Sequence, residues 1–230
     1  MNQGIVVSDL HLLSWRSDGD DHFEDLAGQL REVQALVLNG DIFDFRWAIR
    51  PHSETVPEAI GWLESLRDRH PHLEIHFIPG NHDCIPAFVD AVKALDGITL
   101  HPHLCFLGRN LFLHGDAASY PMDQNGFRKF RAAWENDRPS RKSQARLYDL
   151  SDSLKLSELT HHLWFRGNVA VRRIEYHLED AAPGWRDEID HCYFGHTHMP
   201  VHGYEKDGVR FFNTGSAIRG MYFTPHHFTY

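Results

Sequence analysis

The sequence contains no run of eighteen apolar residues, which excludes an ordinary membrane-spanning helix. No basic segment precedes the apolar start "MNQGIVVSDLHL", so a secretion signal is not indicated and the chain reads as soluble and cytoplasmic. Cysteine is scarce. Cys84, Cys105 and Cys192 are odd in number and lack CxxC spacing, which suits reduced thiols packed as small hydrophobes. Internal repeats and low-complexity linkers are also missing. An excess of positive charge is absent too: the net charge of −9 argues against a dedicated nucleic-acid binder, which needs clustered Lys and Arg. The charge is unevenly spread, however. Between Arg128 and Arg173 stand eleven Lys and Arg against five Asp and Glu, so this segment carries +6 and the remainder −15.

What is present is enough apolar material for a core. At 230 residues, 42% hydrophobic and 12% aromatic, the chain suits a single domain spanning 1–230. Short β-branched runs at 4–8, 35–39, 73–79, 111–114, 191–195 and 209–213 read as strands. Apolar residues at helical spacing lie between the early ones: Phe23, Leu26 and Leu30; Ile60, Leu63 and Leu66; Phe88, Val92 and Leu95. The first half is therefore β-α-β-α-β, and "YEKDG" marks a later hairpin. That mixture predicts an α/β fold with two packed sheets flanked by helices. Residues from 117 to about 190, poor in strand signals and rich in helical periodicity, read as a helical cap inserted over one end of the sheets.

Five of the strand-like runs end in polar residues of metal-ligating type: "SDLH", "GDIFD", "GNHD", "HGD" and "GHTH". In α/β sheets the carboxyl ends of strands are where loops converge on one crevice. Asp9 and His11, like His196 and His198, stand two apart, which in an extended chain turns both to one side. Asp41, Asn81 and His114 add single ligands. Seven oxygen and imidazole donors exceed one tetrahedral ion but suit two ions bridged by a carboxylate, with Mn expected and Fe or Zn as alternatives. With only Asp9 and Asp41 anionic, such a centre keeps positive charge and attracts phosphate. His82, facing away from its neighbour Asn81, is left free as a general acid, with Asp44 to fix its tautomer.

Taken in order, Asp9-Leu10-His11, Gly40-Asp41-Ile42-Phe43-Asp44, Gly80-Asn81-His82-Asp83, His114 and Gly195-His196-Thr197-His198 resemble the pattern of the calcineurin-like metallophosphoesterase superfamily. The resemblance implies a four-layer α/β/β/α sandwich. It implies one metal on Asp9, His11, Asp41 and His198 and a second on Asp41, Asn81, His114 and His196. It also implies that His82 protonates or stabilises the leaving group while Asp44 orients it. The stretch "HGDAASYPMDQNGFRKFRA" followed by helices and "GHTH" is similar to UDP-2,3-diacylglucosamine pyrophosphatases. That likeness implies a nucleotide-lipid substrate and a basic cap in peripheral contact with an anionic membrane. The chain departs from that subgroup in carrying His82 where its members usually have Arg, and in lacking their Ser-Lys-Ser-type stretch.

Further residues are read for substrate binding: Arg46, two after Asp44, as a phosphate clamp; Asn81; and Arg128 with Arg131, three apart on one helix face toward the cleft. Phe45 stands where the protein-phosphatase form of the superfamily has Arg, which speaks against a serine/threonine protein phosphatase. Trp134, Trp164 and Phe165 are core or the walls of a groove. His161-His162 and His226-His227 have no ligand pattern. Within metal-assisted hydrolysis, a soluble phosphodiesterase or phosphomonoesterase is the alternative. Outside it stands a non-catalytic scaffold of the same fold, although such scaffolds generally lack ligands that are all present here.

Overall fold

The computed structural model describes residues 1–136, 138–140 and 167–230. All six apolar runs form strands, namely β1 (Gln3–Val7), β2 (Ala35–Asn39), β3 (Glu74–Ile78), β6 (Asn110–Leu113), β7 (His191–Phe194) and β9 (Val209–Asn213). The expected hairpin adds β8 (Val201–Lys206), and three strands not among those runs complete the set: β4 (Ile98–Leu100), β5 (Leu104–Leu107) and β10 (His226–Thr229). One sheet has the order β10-β1-β2-β3-β4, with β1 to β4 parallel and β10 antiparallel to β1. The other has the order β5-β6-β7-β9-β8, parallel in its centre and antiparallel at both edges. His226-His227 thus belong to an edge strand.

Burial divides the chain into layers. Ile5 and Val7, Leu36 and Leu38, Ile75 and Phe77 pack with Phe23, Leu30, Leu63 and Phe88 from the helices α1 (Gly19–Glu24), α2 (Ala27–Leu30), α3 (His52–Arg69) and α4 (Pro86–Lys93). The alternate residues Val6, Val37 and Ile78 turn to the opposite face and meet Cys105, Phe112 and Tyr193 of the second sheet. On that sheet's outer face, Leu111, Cys192 and Phe211 pack against Val171, Ile174 and Leu178 of α6 (Gly167–Ala181) and Trp185 of α7 (Trp185–Glu188). The result is the four-layer α/β/β/α sandwich. Because β2 is buried on both faces, it reads as the unbroken apolar run Ala35-Leu36-Val37-Leu38.

Two expectations need correction. The periodicity of Phe23, Leu26 and Leu30 suggested one helix, but α1 and α2 are separate short helices that share only the buried face. Residues 167–181, read as cap, instead form the outer layer of the sandwich, because their apolar stripe is complementary to the second sheet. In the rest of that stretch, α5 (Gln124–Glu135) is capped by Asp123, whose side chain accepts from the Gly126 amide at 2.7 Å. It is tied to α6 by the Gln124 amide, which donates to Asp180 at 2.8 Å. His161, His162, Trp164 and Phe165 lie outside the described residues. Among the described residues no helix is long and apolar enough to cross a membrane.

Candidate metal centre

The loops that leave β1, β2, β3, β6 and β7 bring the seven candidate ligands and His82 together. The expected mechanism of pairing is wrong for the D-x-H and H-x-H segments. Asp9 (φ 53°), His11 (50°), Asp41 (50°), His196 (66°) and His198 (55°) are all left-handed, not extended. Each such non-glycine residue costs about 1–2 kcal/mol and persists only where its surroundings hold it. The surroundings are backbone ties between loops: the Asp9 amide donates to the Gly40 carbonyl (3.0 Å) and the His11 amide to the Asp41 carbonyl (2.9 Å). The His196 amide donates to Asp9 Oδ1 (3.0 Å) and the His82 amide to Asp41 Oδ1 (2.7 Å). Glycine is required where these loops touch: a Cβ at Gly80 would lie 2.1 Å from Asp41 Oδ1, and one at Gly195 2.2 Å from Asp9 Oδ2.

Two donor groups result, and Asp41 belongs to both. Asp9, His11, Asp41 and His198 each place one donor atom within 4.8 Å of the others, as do Asp41, His114 and His196. In the first group, His11 Nε2 and His198 Nε2 are 3.1 Å apart, and His198 Nε2 lies 3.4 Å from Asp9 Oδ1. Within the second, His114 Nε2 lies 3.3 Å from Asp41 Oδ2 and 3.3 Å from Asn81 Oδ1, while His196 Nδ1 is 2.8 Å from the same amide oxygen. The remaining ring nitrogens are held from behind: His114 Nδ1 faces the Asn39 carbonyl (3.3 Å) and His196 Nε2 the Ser119 hydroxyl (2.6 Å). Such partners fix which nitrogen points at an ion.

The donor set fits two divalent cations. Asp9 and Asp41 are 0% and 1% exposed, yet their close partners are imidazoles and backbone amides, so the charge that balances them must come from the centre itself. Burial opposes ionisation of Asp41, but His114 and His82 outweigh it and hold its carboxyl well below the usual carboxylate range. Conversely, burial would lower His114, and Asp41 with Asp116 outweighs that and pushes it up to about 10. His196 is driven by burial down to about 4, neutral and ready to ligate. The charge favoured on His114 stands where a cation would supply it.

His82 sits at the rim of this cluster. Its Nδ1 is 3.0 Å from Asp44 Oδ1, whose carboxylate also accepts from the Trp47 amide (2.9 Å) and faces His11 Nδ1 through Oδ2 (3.3 Å). Asp44 therefore positions a candidate ligand as well as the candidate acid, a double role the motif did not reveal. Burial disfavours charge on His82, but Asp44 and Asp41 prevail and raise it to about 9. The Trp134 ring lies 4.9 Å from the His82 ring, and the Arg46 guanidinium is 5.2 Å from the Trp134 centroid. With Phe45, His52 and Ile85 they line a small cleft at His82. Trp134 is thus a wall of the site, and Arg46 is stacked on indoles of the wall.

Arg128 and Arg131 do not form the expected pair. Both border a separate 440 Å³ cleft beside α4, but Arg128 is exposed whereas Arg131 is buried. Its guanidinium is taken up by Asp116 and by the carbonyls of Gly80 (2.9 Å) and Pro79 (2.7 Å), so it holds the Asn81 loop instead of reaching for substrate. Asp83, which the sequence offers only as a turn residue bonding back to the backbone, also joins two loops. Its buried carboxylate accepts from the amides of Gly80 (2.5 Å), Ile42 (2.8 Å) and Phe43 (3.2 Å), clamping the Asp41 loop to the Asn81 loop. Asp83→Ala leaves three amides without an acceptor, and should destabilise the fold by about 2–4 kcal/mol. Urea unfolding measures it, and an unchanged midpoint would show that the clamp is dispensable.

A model of the calcineurin-like phosphoesterase family matches residues 5–200. Similar solved structures include phosphopantetheinyl hydrolase from Mycobacterium tuberculosis, 17% identical over 94% of this chain and 90% of that one, with a TM-score of 0.42. A phosphoesterase from E. coli is 16% identical over 95% of this chain and 82% of that one, TM-score 0.44. A dimetal phosphatase from Danio rerio is 13% identical over 94% and 88%, TM-score 0.45. No curated protein matches the chain.

Proposed function

The chain belongs to the calcineurin-like phosphoesterase family and is a metal-dependent phosphoesterase, and from that premise we propose that it hydrolyses its substrate at two divalent ions bridged by Asp41, with His82 serving the leaving group. The observation that carries this reading is the sharing of Asp41 between two donor groups beside a histidine held by Asp44. Asp9, His11, Asp41 and His198 would hold one ion; Asp41, Asn81, His114 and His196 would hold the other, with Mn the expected metal. Bound there, the ions would supply charge neutralisation for the phosphoryl oxygens and acidification of water.

The protein's own groups do the rest. With Nδ1 of His82 engaged by Asp44, Nε2 is the nitrogen left to donate a proton to the departing oxygen. The buried Asp44 carboxylate favours the protonated ring and fixes its orientation. The indole of Trp134, backed by Arg46, offers a planar surface next to that proton. This surface supports a pyrophosphate with a nucleotide portion as substrate, the UDP-2,3-diacylglucosamine class. The excess of Lys and Arg between 128 and 173 supports peripheral contact with an anionic membrane carrying such a lipid. Hydrolysis with Mn²⁺ of UDP-2,3-diacylglucosamine in detergent should exceed that of bis-p-nitrophenyl phosphate by several orders of magnitude. Turnover of the aryl diester alone would leave the metal centre standing and replace the lipid by a soluble phosphoester.

A further inference from the structure

A second group of ligating side chains lies between the sheets and shares no residue with the centre above. His76 is on β3, where Ile75 and Phe77 face the helices and Ile78 faces the second sheet. Alternation therefore turns His76 toward the second sheet. Parallel pairing sets Thr99 of β4 opposite His76, and His101, two residues on, keeps the ladder by donating its amide to the Phe77 carbonyl (2.8 Å). Both imidazoles thus reach the same interlayer, with His76 Nδ1 and His101 Nε2 3.0 Å apart. Cys105, on the edge strand β5 of the opposite sheet and 1% exposed, comes in from across the gap. One donor atom from each of the three lies within 4.8 Å of the others.

We propose that His76, His101 and Cys105 bind one zinc ion that fastens β3 and the residue following β4 to β5 of the other sheet. Two imidazoles and a thiolate are a borderline-soft set that suits zinc and is unsuited to magnesium, calcium or manganese. The imidazole separation of 3.0 Å is close to the roughly 3.3 Å that two nitrogens keep on a tetrahedral zinc with Zn–N of about 2.0–2.1 Å. An ion would take the place of the hydrogen bond that His76 Nδ1 and His101 Nε2 otherwise share. The three donors face one another with no carboxylate among them. On binding, the thiol S–H breaks, its proton goes to solvent and the sulfur lone pair forms the Zn–S bond. His101, half-buried, gives the ion a path from solvent, and water completes the fourth position. Cys105, read from the sequence as packing only, is then a ligand.

Cobalt(II) tests this, because the donors of the catalytic centre are oxygen and nitrogen and cannot give a thiolate-to-cobalt charge-transfer band. Titration of the whole protein should produce that band, and in Asp41→Ala, which lacks the two catalytic ions, it should saturate at one equivalent per chain. It should persist in Asp41→Ala and in Cys84→Ser, disappear in Cys105→Ser, and need at least tenfold more cobalt in His101→Ala. Should Cys105→Ser fail to fold, the half-exposed His101 variant carries the test. Zinc should also raise the melting temperature of Asp41→Ala and not that of the double variant Asp41→Ala/His101→Ala. A wild-type titration with no thiolate band, or a band that Cys105→Ser or His101→Ala leaves unchanged, would overturn the proposal.

Discussion

Asp41→Ala should release both catalytic ions and lower kcat/KM by about 10³-fold or more, equivalent to ~4 kcal/mol of lost transition-state stabilisation. The reason is geometric. Asp41 is the one carboxylate in both donor groups, with Oδ2 3.3 Å from His114 Nε2 and Oδ1 anchoring the His82 amide. Removing it leaves two clusters of imidazoles with no shared anion, and their mutual repulsion replaces the attraction that gathers cations. Asp41→Asn separates charge from shape: it should fold, bind one ion weakly at most, and be nearly as inactive. Metal content per chain after desalting decides the point, with circular dichroism to establish that the variants are folded. Two ions retained by Asp41→Ala would remove the bridging assignment.

A smaller but more specific loss is expected for His82→Ala. Both ions should stay, because His82 belongs to neither donor group that contains Asp41, while turnover falls about 10²-fold or more. The loss should depend on the leaving group. A p-nitrophenolate departs without protonation and should be affected little; an alkoxide needs the proton and should carry nearly the full effect. Asp44→Asn should imitate this pattern and also weaken metal binding, since Asp44 faces His11 Nδ1 as well as His82. Equal losses for both leaving groups would assign His82 to electrostatic stabilisation instead of proton donation.

The contrast between what could and could not be read from the residues has a physical pattern. Strands such as Ala35–Asn39 were legible because burial on two faces demands consecutive apolar residues. The ligand clusters were legible because each follows its strand at once, so local order in the chain equals proximity at the sheet edge. The left-handed backbone at Asp9, His11, Asp41, His196 and His198 left no trace, since its support comes from loops far away in sequence. Arg131 is the clearest misreading. Its spacing from Arg128 says only that they share part of a helix surface, whereas its partners, Asp116 and the carbonyls of Pro79 and Gly80, are supplied by two other loops. β10 was invisible for a related reason: "HHFT" buries only Phe228 among its four residues and owes its strand form to pairing with β1. The helical periodicity of 167–181 was correct, but periodicity does not say which surface a helix will cover.

The most direct test of the shared-carboxylate centre is anomalous scattering from crystals grown with Mn²⁺. Two peaks about 3.5–4 Å apart, both within bonding distance of Asp41, are the expected result. A single peak, or a pair in which only one touches Asp41, would contradict the account.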